Sequence, residues 1–123
     1  MSRASAASLV QDYLARDIPV GAMDLDSAWS TGFNNFVVDT HKFPDFKGFV
    51  QSMHSLGVNV ICWATSMVDT DSSNYEDGKS KGYYVKGLTT DLIKWWHGKG
   101  SLLDYTNPAA RAWWEKQLDH VRA

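Results

Sequence analysis

The chain has 123 residues, with 12 Lys and Arg against 14 Asp and Glu and a formal net charge of −2, so it carries no basic footprint for DNA or RNA. Hydrophobic residues make up 44% and charged residues 21%, a balance that excludes disorder by composition, and no apolar run reaches the roughly 18 residues of a membrane span. The single Cys excludes an internal disulfide and a thiolate cluster for zinc, while six Trp, five Tyr and five Phe supply either core or flat platforms for ligands.

Residues Met1 to Ala7 and the short apolar pair Leu9-Val10 do not make the apolar region of a signal peptide. The spacing predicts a first helix over Ala4 to Asp17, with Leu9, Val10, Tyr13 and Leu14 as its apolar stripe. Pro19 ends it, because the residue before a proline is driven out of the helical region. Val20 to Leu25 reads as a short buried strand, and Ser27 to Lys42 as a loop turned by Gly32, Asn34 and Asn35.

The second helix has the clearest pattern, with Phe46, Phe49, Val50, Met53 and Leu56 on one face. Pro44 or Asp45 suits its start and Gly57 its end. Val58 to Ala64 is almost continuously apolar, the pattern of a parallel strand covered on both faces. Thr65 to Gly100 is a long stretch without clear periodicity that should contain short strands or turns, Gly82 to Lys86 being one candidate. The last helix is marked by Asn107 as N-cap and Pro108 in the first turn, and runs over Ala109 to Val121 with Trp114, Leu118 and Val121 on its apolar face. Helices alternating with strands in this way predict an α/β chain with parallel strands. A two-stranded parallel sheet is a poor finished structure, so the count points to part of a larger closed sheet.

Asp24 and Asp26 lie two apart at the end of a predicted strand, on one side of it. Ligand sites of parallel α/β folds sit at the carboxyl ends of strands. A carboxylate there accepts hydrogen bonds from sugar hydroxyls, acts as a base or metal ligand, or simply pins the following loop. Trp95-Trp96-His97-Gly98 suits either core packing or an exposed indole that stacks on a flat apolar face such as the C–H face of a sugar; two adjacent indoles cannot face the same way along a strand, so one is buried and the other has a different job. The pair Trp113-Trp114 reads as core packing. Asp69 and Asp71 lack the spacing of an EF-hand, and His41, His54, His97 and His120 lack ligand-like spacing, so no metal site is expected. Cys62 reads as an inert small hydrophobe.

Four pieces of the chain, in order, resemble the catalytic barrel of glycoside hydrolase family 31. They are Ile18-Pro19-Val20 with Met23-Asp24-Leu25-Asp26; Phe36 and Asp39 with Lys42-Phe43-Pro44-Asp45; Val50 through Val60; and Trp96-His97-Gly98 with Leu103-Asp104-Tyr105-Thr106-Asn107-Pro108-Ala109-Ala110-Arg111-Ala112-Trp113-Trp114. The resemblance runs from about Leu9 to the C-terminus. It implies a partial TIM-type (β/α)8 barrel over residues 1–123, incomplete because a typical barrel needs about 250 residues. It also implies retaining hydrolysis of terminal α-glucosides or α-xylosides without a cofactor.

By the same resemblance, Asp24 binds sugar hydroxyls in the −1 subsite, Trp96 walls that subsite, and Val68 is an aliphatic subsite residue. The Trp63-Ala64-Thr65-Ser66 run differs from the family's usual Asp-Pro pattern. Retaining glycosidases need two carboxyl groups about 5–5.5 Å apart. The resemblance places both beyond the end of this chain, so none of its residues is assigned a catalytic role and the remainder of the barrel is the partner it needs. The alternative is a non-catalytic carbohydrate-binding or structural module.

Overall fold

Apolar residues collect in two places along this chain, and each collection builds its own compact unit. The structure, a computed structural model, describes residues 1–122. Met1–Trp29 and Val38–Trp63 make the first unit; Ser30–Val37 and the residues from Ala64 onward make the second.

The first unit opens with α1 (Arg3–Leu14), capped by Ser2, whose side chain accepts from Ser5 N. The helix stops three residues short of the predicted end because Asp17 takes a left-handed conformation (φ 57°). Its predicted stripe is only partly used. Ala6 and Val10, four apart, are buried, whereas Leu9 and Tyr13 stay exposed. Strand β1 (Ala22–Leu25) alternates exposed and buried residues, so Met23 and Leu25 enter the core and Asp24 points away from it.

Helix α2 (Phe46–Ser55) begins at Asp45, whose Oδ1 accepts from Gly48 N at 3.1 Å. It ends with Gly57 at φ +76°. Gly57 N donates to His54 O and Val58 N to Met53 O. These are the two bonds of a Schellman cap, and glycine supplies the left-handed residue without steric cost. The chain leaves this cap directly into β2 (Asn59–Cys62), which pairs in parallel with β1, Ala22 opposite Asn59 through Leu25 opposite Cys62. Trp29, Phe43, Phe49, Met53 and Val58 complete the core of this unit.

The expected burial of β2 on both faces does not hold. Ile61 is 52% exposed. The reason is that the sheet has only two strands among the described residues, and nothing within the unit covers that face.

The second unit corrects a larger expectation. Its sheet is antiparallel, in the order β3-β5-β4, with β3 (Met67–Asp69), β4 (Ile93–Lys94) and β5 (Lys99–Leu102). Alternation of helices with parallel strands therefore holds for β1, α2 and β2 and stops there. The physical cause is the length of the β4–β5 connection. Trp95 to Gly98 is a four-residue turn closed by Trp95 N donating to Gly98 O at 3.0 Å, and a turn that short can only reverse the chain. The candidate strand near Gly82 to Lys86 appears as a single bridge between Tyr84 and Leu103. Helix α3 (Tyr75–Ser80) was not anticipated.

Helix α4 (Pro108–Leu118) follows the expected cap: Asn107 Oδ1 accepts from Ala109 N at 2.9 Å and Ala110 N at 3.4 Å. Just upstream, Asp104 Oδ1 accepts from Thr106 Oγ1 at 2.6 Å and Thr106 N at 2.9 Å, which holds its carboxyl below the usual carboxylate range. The Asp104-to-Pro108 motif is thus a structural turn that launches a helix. Replacing Asn107 with alanine strands two amide groups, and a loss of about 1 kcal/mol is expected in urea unfolding.

Asn34 stitches the Ser30–Val37 segment into the second unit. Its Nδ2 donates to Thr65 Oγ1 and to Met67 O, and its Oδ1 accepts from Thr65 N at 2.7 Å. Nearby, Phe36 meets buried Trp114 edge-on with ring centroids 4.8 Å apart.

Candidate functional site

In the second unit, four aromatic rings gather around one buried carboxylate. Asp69, at the end of β3, is 2% exposed. A carboxylate so buried is costly unless its oxygens receive hydrogen bonds, and both do. Trp95 Nε1 donates to Oδ1 at 2.6 Å. His97 Nδ1 lies 2.5 Å from Oδ2; a carboxylate oxygen accepts, so the ring presents its proton on that nitrogen.

Between those two residues, at the tip of the turn, Trp96 is 69% exposed. Phe33 packs beneath the group, with its ring centroid 3.9 Å from His97, 5.4 Å from Trp96 and 5.7 Å from Trp95. The two neighbouring indoles differ in exposure, Trp95 being half-buried and Trp96 exposed, and they do so in a turn rather than along a strand. An exposed indole on a braced turn offers a flat apolar face, the surface that suits the C–H face of a sugar ring.

Val68 precedes Asp69 in β3 and is 0% exposed. Asp24 belongs to the first unit. It is exposed near the end of β1 and lines an open groove of about 380 Å³ together with Leu9, Tyr13, Ile18, Val20 and Met23. Asp26 pins the loop after β1, its Oδ1 accepting from Ser27 N at 2.6 Å and its carbonyl from Trp29 N.

Opposite the end of β1 stands Cys62. Burial pushes its thiol up from 9.0 to about 11, and the Asp24 charge adds to the shift. The folded chain therefore holds this proton to higher pH than the unfolded chain does. Stability is unaffected by the thiol below about pH 9 and declines as pH rises from about 9 to about 11. A Cys62→Ala chain should lose less stability across that interval, as read by urea unfolding at successive pH values.

Among the described residues, no group of three or more His, Cys, Asp or Glu is placed to hold a metal, and no helix is long and apolar enough to cross a membrane.

Residues 1–122 match the model of the glycosyl hydrolases family 31 TIM-barrel domain. The chain belongs to glycoside hydrolase family 31. An α-xylosidase of Lactiplantibacillus pentosus is 30% identical over 105 residues, covering 82% of this chain and 14% of the relative. A myogenesis-regulating glycosidase of Mus musculus is 28% identical over 103 residues, covering 81% of this chain and 14% of the relative. Among solved structures, a family 31 dextranase of Flavobacterium johnsoniae complexed with glucose superposes with a TM-score of 0.86 at 20% identity, covering 96% of this chain and 16% of the other. A family 31 α-xylosidase from a soil metagenome complexed with xylose gives a TM-score of 0.80 at 22% identity, covering 94% and 17%. The family 31 chain thus spans between 14% and 17% of the length of these four proteins.

Sequence reasoning singles out Trp96 in this family 31 chain but not the residues that brace it. In the sequence Asp69 stands out only with Asp71 as a candidate cation pair without EF-hand spacing, and Phe33 lies unmarked within the Ser27 to Lys42 loop. The available signal was a lone His and a Trp flanking an exposed Trp. Their acceptor lies 26 and 28 residues upstream, a separation that no local pattern spans.

Proposed function

We propose that this chain is the sugar-holding part of a retaining α-glycosidase that hydrolyses terminal non-reducing α-glucosidic or α-xylosidic bonds. The observation that carries the proposal is the match of residues 1–122 to the family 31 barrel domain. The chain contributes to the −1 subsite, with Asp24 accepting hydrogen bonds from ring hydroxyls and Trp96 stacking on the apolar face of the sugar. Val68 stays in the proposal as the aliphatic residue; enclosed as it is, a ligand reaches it only when neighbouring side chains move.

In this reading the chain forms part of a (β/α)8 barrel. The nucleophile and the acid/base, two carboxyl groups about 5–5.5 Å apart in retaining enzymes, come from the rest of the barrel. The parallel β1–β2 pair and the open face at Ile61 support this, because parallel strands are normally covered on both faces and flanked by further strands.

The test has two parts. The purified chain should show a change in tryptophan fluorescence on titration with glucose or xylose. It should also fail to release nitrophenol from p-nitrophenyl α-glucoside or α-xyloside. Hydrolysis by this chain alone would contradict the assignment of both carboxylates to other residues, and flat titrations with both sugars would remove the subsite.

A second reading is a non-catalytic carbohydrate-binding or structural module, which the exposed Trp96 ring would suit. It predicts sugar binding that is unaltered when the chain is embedded in a longer family 31 polypeptide.

A further inference from the structure

Trp96 is the most exposed residue of its turn, yet both of its chain neighbours are tied to the same buried group. Trp95 uses Oδ1 of Asp69 and His97 uses Oδ2. The carboxylate therefore spans the turn from one side of Trp96 to the other. Asp69 is itself held: it lies opposite Gly100 in the β3–β5 ladder, and its carbonyl accepts from Ser72 N at 3.0 Å. Above this base the Trp96 ring meets Phe33 at 83°, Trp95 at 59° and His97 at 72°, with centroids 5.3 to 5.6 Å apart. Among the rings that meet Trp96 are the two that Asp69 holds.

A turn of four residues closed by one backbone hydrogen bond does not by itself fix the direction of the side chain at its tip. Charge-assisted bonds to both flanking residues do so, because they are short and directional. An aromatic platform held in its bound orientation loses less freedom when a ligand arrives.

We propose that Asp69 is a positioning residue for sugar recognition. Its two carboxylate oxygens clamp Trp95 and His97 and so set the orientation in which Trp96 meets the sugar ring. The proposal deepens the functional reading above and rests on Trp96 being the sugar platform.

The experiment uses the 123-residue chain labelled with 5-fluorotryptophan, with the Trp96 fluorine resonance assigned by its absence from Trp96→Phe. In Asp69→Asn only one side-chain oxygen remains as acceptor, so one clamp is lost while the size is kept. In Trp95→Phe a smaller aromatic ring takes the place of the indole, and the N–H that reaches Asp69 is removed. The Trp96 resonance should narrow in both variants as the indole gains motion, and the Kd for xylose or glucose should rise about three- to tenfold. Should Asp69→Asn fail to fold, Trp95→Phe decides.

A Trp96 line width unchanged in both variants overturns the proposal, and so does a narrowed resonance with unaltered sugar affinity. If sugar affinity falls on Trp96→Ala but not on either clamp variant, the functional reading stands and Asp69 has no positioning role. If the unaltered chain binds neither sugar, the functional reading fails and takes sugar recognition with it; the line width then reports only whether Asp69 orders Trp96.

Discussion

Trp96→Ala is expected to weaken binding of glucose or xylose at least tenfold while leaving the chain folded. The separation of the two effects follows from exposure. Trp96 is 69% exposed, so removing its ring uncovers little apolar surface, and the stability cost should stay below about 1 kcal/mol. The ring contacts it gives up include those with Phe33, Trp95 and His97. The exposed part of the ring is what a sugar would use, and a tenfold loss corresponds to about 1.4 kcal/mol, within reach of a single lost aromatic contact. Fluorescence titration of the variant, with far-ultraviolet circular dichroism as the folding control, measures both. An unchanged Kd would show that the exposed indole is not a sugar platform.

Gly100→Ala is expected to destabilise the second unit by about 2–4 kcal/mol. A Cβ at this position would lie 2.4 Å from Val68 O and 2.9 Å from Val68 C, both backbone atoms in the opposing strand. Those atoms cannot rotate away as a side-chain tip would. The two strands must separate, and the β3–β5 pairing of Asp69 with Gly100 and Val68 with Ser101 goes with them. Glycine is required here for the close approach of two backbones. Gly98→Ala is the matched control. Nothing lies within 4 Å of its Cβ position, and less than about 0.5 kcal/mol should be lost. Equal urea midpoints for the two variants would contradict the steric argument.

The same clash bears on the candidate site. Asp69 reaches Trp95 and His97 only because β3 and β5 lie close, and Gly100 is what lets them. A substitution at a buried glycine should therefore loosen an exposed tryptophan four residues away in sequence. In the fluorotryptophan spectrum, Gly100→Ala should narrow the Trp96 resonance as the Asp69 variants do.

Much of this chain is written in short-range signals. Helix α2 is legible because its apolar spacing, its Asp45 start and its Gly57 stop all concern residues within one or two turns of each other. Helix α4 is legible for the same reason, through Asn107 and Pro108. The parallel pairing of β1 with β2 follows from a strand-helix-strand order that leaves few other arrangements. Helix α3 escaped because it is six residues long, contains Gly78, and has no side-chain cap at Asn74. Its place is set by packing, with Tyr75 and Tyr84 stacked at 5.4 Å.

From its residues alone this protein was committed to glycoside hydrolase family 31, to its capped helices, and to an indole at position 96 that does not pack like its neighbour. Only the folded chain decided that the second sheet runs antiparallel, that Asn34 is a buried tie, and that Asp69 holds both flanks of Trp96. The reason is one of range. Caps and periodicity act through a few successive residues, whereas the bonds of Asn34 reach Thr65 and Met67 and those of Asp69 reach Trp95 and His97. Partners so far apart along the chain meet only after strand pairing has brought them together.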